Sequence, residues 1–488
     1  MNLLIDNWIP VQHQGIFKHI SLKTVLTQDE PWQISLPRDD MEMACLQLLV
    51  SLTQVLFVPK DGSELKARIK QPITETEYFD AVEGRVEWFE MDHPEHPFMQ
   101  FRGVSAKDLT PMNKLFAGLN SSTSSSFVNE PNLASVLCPV CSAIGLFNQA
   151  SNCPGFGGGP GGGFKAGIRA SAPINTIIIG GSLRETIWRN ILACDFLYEL
   201  MPWCEALKSD EPTWVKLIVR GSKVAAHETG LVRGLFWQPV RVELIKKDSP
   251  CVCDCCGSVD DCYLGFNKEP FGYEFSGAWP YPLSPRVYKL AKGEREEKFS
   301  SFTTSAPSWT LLNQFLIKED LEREGRTPAP VVTQARNFSL NNGMLHLMVG
   351  GYRNKQASIL ERRHELFSIA KEWQNSDVLI ARIVDTGLAY KTELRKKLYG
   401  FFKATGVAVQ DPAEHRFYKQ TEPLVHDMLR NMNFKESKVA FADYHKQLHE
   451  TTRDIFNQVT EPYQNEPKMI QALAIARRGL NKSLAALN

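Results

Sequence analysis

Phe441-Ala442-Asp443-Tyr444-His445-Lys446-Gln447-Leu448-His449-Glu450-Thr451-Thr452-Arg453-Asp454-Ile455-Phe456-Asn457-Gln458-Val459 steps its apolar residues by three and four. Phe441, Tyr444, Leu448, Ile455 and Val459 share one helical face, with Thr451 or Thr452 filling the missing place. Leu473, Ala476, Leu480, Leu484 and Leu487 repeat the pattern. Upstream, helices fit 365–385, 390–404 and 413–431, separated by polar or proline-containing joints. Four or so amphipathic segments in series cover their stripes by packing antiparallel, so the reading is a C-terminal four-helix bundle over 363–488. The stripes are core.

Towards the N-terminus the pattern changes. Between about 175 and 350, short β-like runs such as Asn175–Ile179 and Val215–Val219 are broken by Gly and Pro turns. Leu3 to Pro10 reads as a first strand, and a helix is expected over about 40–57 with Asp39 or Asp40 as its N-cap. Residues 70–115 alternate short helical and turn segments. The expectation is a large, irregular α+β domain over 1–362.

At 488 residues the chain is too long for one core, which agrees with two domains. Lys plus Arg and Asp plus Glu both number 55, so a nucleic-acid binder of this composition must use local patches or join a more basic assembly. The N-terminus lacks the basic and apolar regions of a signal peptide. Ala44–Phe57 is too short and too often interrupted to span a bilayer, and reads as a buried core helix. Eleven cysteines, several in CxxC spacing and without a secretion signal, favour metal ligands or reduced thiols in the cytoplasm.

Pro154-Gly155-Phe156-Gly157-Gly158-Gly159-Pro160-Gly161-Gly162-Gly163-Phe164-Lys165-Ala166-Gly167 holds eight glycines in fourteen residues. Such a run is either slack linker or a loop whose bare backbone lies against something bulky. Phe156 and Phe164 would anchor it, and Lys165 and Arg169 would edge it with positive charge, which favours close approach to an anion. It is not a P-loop, since Ala166 follows Lys165 where Ser or Thr is needed. A dinucleotide fingerprint fails as well, because the polar run Asn148–Asn152 precedes it in place of a strand.

Cys138-x-x-Cys141 and Cys253-x-x-Cys256 together supply four thiolates, a donor set suited to a structural zinc with no open catalytic position. Cys251, Cys255 and Cys262 leave the second pair ambiguous, and reduced thiols are the alternative. His93-Pro94-Glu95-His96 contains Pro94 and is followed by Pro97, which together forbid a helical ligand face, and it is read as an ordinary turn. Lys268 is either an ordinary solvated lysine or, so soon after the second knuckle, a side chain held steady by it. Gly350 to Ser358 is either a connecting turn or a hairpin tip that touches bases or phosphates. Arg395-Lys396-Lys397 and Arg477-Arg478 read as solvated helix faces. No HExxH or G-x-S-x-G motif occurs, which argues against an enzyme.

Several long blocks carry a family resemblance. Met1 to Pro10, Ser35 to Asp40, Glu95 to Gln100, Gly234 to Pro239, Thr303 to Trp309 and Gly350 to Arg363 resemble the CasA family, the large subunits of type I-E CRISPR surveillance complexes (Cascade). The resemblance implies a non-catalytic antiviral-defence subunit that recognises the protospacer-adjacent motif (PAM) of double-stranded DNA from the minor groove. It implies that the subunit starts strand separation for crRNA pairing and helps recruit a helicase-nuclease. By motif matching, Gly157, Gly158, Gly159, Gly161, Gly162 and Gly163 resemble the family's glycine loop and Lys268 its lysine finger. Gln356, between Lys355 and Ala357, resembles the wedge. Phe127-Val128-Asn129 resembles the loop that docks near the crRNA 5′ end, and Cys138, Cys141, Cys253 and Cys256 resemble the family's zinc knuckles. The implied partners are target DNA and the crRNA-bearing backbone, 5′-end cap and small subunits, with no membrane. The tract is longer here, around Pro160, and Lys355 stands where an amide residue is familiar. The rival reading is a nucleotide-dependent enzyme that uses the glycine tract as a phosphate cradle.

Overall fold

The computed structural model describes residues 1–119, 134–156, 167–169, 172–207, 210–340 and 343–487. It is a mixed helix-and-strand structure with a helical C-terminal region, in agreement with the α+β reading. It divides into two compact units, each continuous in space but not in sequence. The first comprises Met1–Thr303, Lys318–Leu340 and Met348–Glu365; the second comprises Thr304–Ile317, Asn341–Leu347 and Leu366–Asn488.

The first unit combines several small sheets with a buried helix, Asp39–Leu56, in which every residue but Asp39 and Glu42 is buried. A helix apolar on all sides must be enclosed, and its polar residues then need partners. Gln54 meets that need by donating to the Leu192 carbonyl at 3.1 Å and accepting from the Leu192 amide at 2.6 Å. The N-cap is Arg38, one residue before the expected aspartates, which lie in the first turn and face the helix's partial positive charge.

One expected strand is displaced and another is absent. Leu3–Pro10 begins as a turn in which Asn2 and Asp6 side chains take the backbone amides, and the strand runs over Ile9–His13. Val215–Val219 is a turn held by the Pro212 carbonyl, with Leu217 and Val219 exposed. Asn175–Ile179 is a strand as expected, and shares a sheet with the hairpin strands Leu345–Lys355 and Ser358–Ile369.

In the second unit the long helices are Asp377–Thr405, Gln410–Asn431, Ser437–Thr460 and Ile470–Ala485, with the short helix Leu312–Leu316 beside them in the same unit. The separate helices expected over 365–385 and 390–404 are instead a strand end followed by one 29-residue helix. Gly406 stops that helix with a left-handed backbone at φ 77°. Phe441, Tyr444, Leu448, Ile455 and Val459 are all buried, and Thr452 fills the gap in the stripe. Leu487 falls beyond the last helix and is only half-buried. The basic clusters behave as surface: Arg395 pairs with Asp411 and Glu414, while Lys396 and Lys397 pair with Glu393. Among the described residues no helix is long and apolar enough to cross a membrane.

Candidate nucleic-acid interface and metal site

Pro139 at the first helical position starts the helix Pro139–Ser151, and Cys138 caps it, its sulfur accepting from the Cys141 amide at 3.5 Å. The second knuckle turns through Gly257, at φ 76°, whose amide returns to the Cys253 carbonyl at 2.9 Å. Asp254 then accepts from the Ser135 and Val136 amides at 2.7 and 2.9 Å, which brings the two knuckles together. The sulfurs of Cys138, Cys141, Cys253 and Cys256 lie within 4.8 Å of one another, and those of Cys138 and Cys256 are 3.6 Å apart. A tetrahedral thiolate cage with metal–sulfur bonds of about 2.3 Å has sulfur–sulfur edges of about 3.8 Å. The donor set therefore fits a divalent metal ion. Its electrostatics point the same way: interaction with Cys138 and the other thiols, together with burial, raises Cys141, while hydrogen bonds from Cys138 and Cys141 lower Cys253 to about 6. Four thiolates this close need a cation to coexist.

The first knuckle also holds the strand that carries Lys268. Leu137 and Tyr263 exchange backbone hydrogen bonds at 3.1 and 2.8 Å, at the start of the strand Tyr263–Pro270. That strand pairs with Val240–Lys246 on one side and with Thr110–Pro111 on the other. A Cβ on Gly265 would lie 2.7 Å from Leu109, so only glycine lets the short edge strand close in. Lys268 is half-buried, and desolvation pulls its ammonium below the usual lysine range. Lys114, on the turn after Thr110–Pro111, is lowered by desolvation and then by the charge of Lys268. Two partly desolvated cations within each other's field favour an anion or a strong acceptor. Lys114 had no motif to mark it in the sequence.

Gly157 through Gly163 and Phe127-Val128-Asn129 lie outside the described residues, as do Phe164 and Lys165. The residues that flank the tract are described. On its N-terminal side, Phe156 packs against Phe266 with ring centroids 5.6 Å apart, and the Lys268 ammonium lies 5.9 Å from the same ring. On its C-terminal side, Ala172 is buried in a cluster with Cys153 and Tyr352, the latter on the hairpin strand Leu345–Lys355. Arg169 does not edge the tract with positive charge. It is buried over the Tyr281 ring at 3.6 Å, lowered to about 10 by desolvation, and donates to Ser151, Asn152, Asn175 and Ser284.

Gly350 to Ser358 resolves as a hairpin and not as a turn into a helix. Lys355, Gln356 and Ala357 are exposed at its tip, with Gln356 in the left-handed region at φ 54° and its carbonyl accepting from Asn354 at 2.6 Å. Below the tip, Glu361 receives Arg353 at 2.8 Å and Arg363 at 3.0 Å. Burial pushes the Glu361 carboxyl up, but these two guanidinium groups hold it below its usual range. At the base, a Cβ on Gly351 would meet the Pro173 carbonyl at 2.8 Å, so the glycine allows the hairpin to press against the chain leaving the tract.

His93 and His96 stack at 3.8 Å, and with Glu87 they bring three ligand atoms within 4.8 Å. The His93 Nδ1 accepts from the Glu95 and His96 amides at 3.2 and 3.1 Å. A neutral ring used this way carries its hydrogen on Nε2 and has no lone pair there for a metal.

The family described as CRISPR-associated protein Cse1 matches residues 2–455. The fold is similar to that of Thermus thermophilus CasA (Cse1), with 18% identity, 99% of each chain covered and a TM-score of 0.75. It is similar to Cse1 from Acidimicrobium ferrooxidans, with 15% identity, 100% of this chain and 98% of the other covered and a TM-score of 0.72. A chain of a CRISPR RNA-guided surveillance complex matches with 14% identity, 99% coverage of each and a TM-score of 0.67. The chain belongs to the Cse1 (CasA) family of CRISPR-associated proteins.

Proposed function

We propose that this chain is the non-catalytic large subunit of a type I-E CRISPR surveillance complex, which inspects the PAM of duplex DNA from the minor groove and starts strand separation. The observation that carries the reading is the position of the tract's flanks: Phe156 lies beside Lys268, and Ala172 lies against the hairpin that presents Gln356. The minor groove offers a degenerate pattern, mostly A·T against G·C, so a reader there relies on shape and few contacts. Glycine backbone from Gly157 to Gly163 approaches where a Cβ would clash. Lys268 donates to groove acceptors, and Gln356 enters beside the first base pair with Lys355 close to phosphate. Guide pairing nearly repays the DNA pairing that is lost, so the wedge has only to begin the exchange. Phe127-Val128-Asn129 docks towards the crRNA 5′ end, and the neutral net charge leaves most phosphate affinity to the crRNA-bearing subunits. The helicase-nuclease is then recruited to the opened target. Zinc held by Cys138, Cys141, Cys253 and Cys256 supplies a cross-link that steadies the Lys268 strand.

The test is selection from a duplex library with randomised flanking sequence, using a reconstituted complex. Enrichment of a short motif that depends on this subunit is expected. ATP or NAD binding by the isolated chain, without motif enrichment by the complex, would favour the phosphate-cradle reading.

A further inference from the structure

Behind the proposed reading elements lies a polar interior that the reading itself does not use. Arg169, Asn152, Asn148 and Tyr352 are 2%, 4%, 0% and 2% exposed, and Asp40 is 9% exposed. Their hydrogen bonds run in one direction. Arg169 donates to the Asn152 side-chain oxygen at 3.1 Å, and the Asn152 amide donates to Asn148 at 2.9 Å. The Asn148 amide donates to the Tyr352 hydroxyl at 2.8 Å, which donates to the Asp40 carboxylate at 2.8 Å. The relay therefore joins a buried guanidinium, whose side-chain bonds among the described residues go to neutral acceptors, to a distant carboxylate. Aligned donors polarise one another in a low-dielectric interior, and each is costly if left unpaired, so the relay admits one arrangement of its members.

The members root different loops. Asn148 and Asn152 end the helix that leads into the glycine tract, Arg169 lies just after it, and Tyr352 is on the Gln356 hairpin. Arg38 grips Asp40 at 2.9 and 2.7 Å and also donates at 2.9 Å to the Ala117 carbonyl, ahead of the segment bearing Phe127-Val128-Asn129. We infer that this buried relay is a positioning element that holds the roots of the glycine tract and the Gln356 hairpin in register, and so sets PAM selectivity more than DNA affinity. The inference rests on the PAM-reading proposal above.

The test compares reconstituted complexes carrying Tyr352→Phe, which removes one oxygen, or Asn148→Ala. Selectivity for PAM over non-PAM duplex should fall about tenfold, the size expected for a buried hydrogen bond, while binding to a pre-opened target stays within about twofold. Lys268→Ala and Gln356→Ala serve as controls. If the controls lose selectivity while both relay variants keep it, or if the relay variants lose equally on both targets, the relay is only structural and the inference falls. If the controls keep selectivity too, the PAM-reading proposal falls and takes the relay's role with it. A variant that does not enter the complex is read by hydrogen exchange on the free subunit. Faster exchange in Leu345–Lys355 with Asp377–Thr405 unchanged supports the relay, and unchanged exchange in Leu345–Lys355 overturns it.

Discussion

The buried threonines of the C-terminal helices and the polar interior around Tyr352 satisfy their hydrogen bonds in opposite ways. In the helices, Thr421, Thr452 and Thr460 each donate to the carbonyl four residues earlier, at 2.8, 2.6 and 2.7 Å. These threonine bonds are local, and the longer reaches in this region come from two tyrosines, Tyr444 donating to the Ile383 carbonyl at 3.2 Å and Tyr390 to the His445 carbonyl at 3.3 Å. Around Tyr352 the bonds are long-range: Asn148 reaches 204 residues along the chain to Tyr352, and Tyr352 reaches 312 residues to Asp40. A local bond holds a helix together wherever that helix packs. A long-range bond holds only one arrangement of distant segments, which is what a site assembled from separate loops requires.

The largest effect is expected at the thiolate cluster. Metal analysis should find about one zinc per chain, and chelation or Cys141→Ser should cost more than about 4 kcal/mol, because loss of a structural metal is among the most damaging single changes. Thermal melting would follow it, and full stability without metal would contradict the zinc assignment. Next comes Leu448→Ala, which empties a fully buried position in the bundle and should cost about 2–5 kcal/mol while leaving PAM selectivity intact. Lost selectivity at unchanged stability would break the distinction between the two regions. Gly350→Ala places a Cβ 2.7 Å from the Met43 sulfur and 2.8 Å from the Arg363 carbonyl, so overpacking of about 1–3 kcal/mol is expected in denaturant melts. The smallest effect belongs to Arg395→Ala, whose ion pairs with Asp411 and Glu414 are largely solvated and contribute less than about 1 kcal/mol.

The same contrast explains what could be read from sequence. The bundle was legible because Phe441, Tyr444 and Leu448 repeat with the helical period; the missing step could be Thr451 or Thr452, and burial selects Thr452. The thiolate group was legible because two CxxC spacings state their own chemistry. The helix over 365–385 was misjudged because Leu366 and Phe367 fit either period, and only the hairpin partner selects the strand. Arg169 looked like an anion-facing cation because sequence does not show that Asn152, Asn175 and Ser284 will surround it. Asn148, Asn152 and Lys114 carried no signal, since long-range amide bonding and mutual desolvation have no period.

The central claim, that Lys268 and Gln356 act on closed duplex and not on separated strands, is tested most directly by one binding comparison. Complexes carrying Lys268→Ala or Gln356→Ala should bind a PAM-bearing duplex at least about tenfold more weakly than wild type, as loss of a groove contact implies. The same complexes should bind a target opened beforehand at the PAM-proximal base pairs within about twofold of wild type. Equal losses on both substrates would contradict the account.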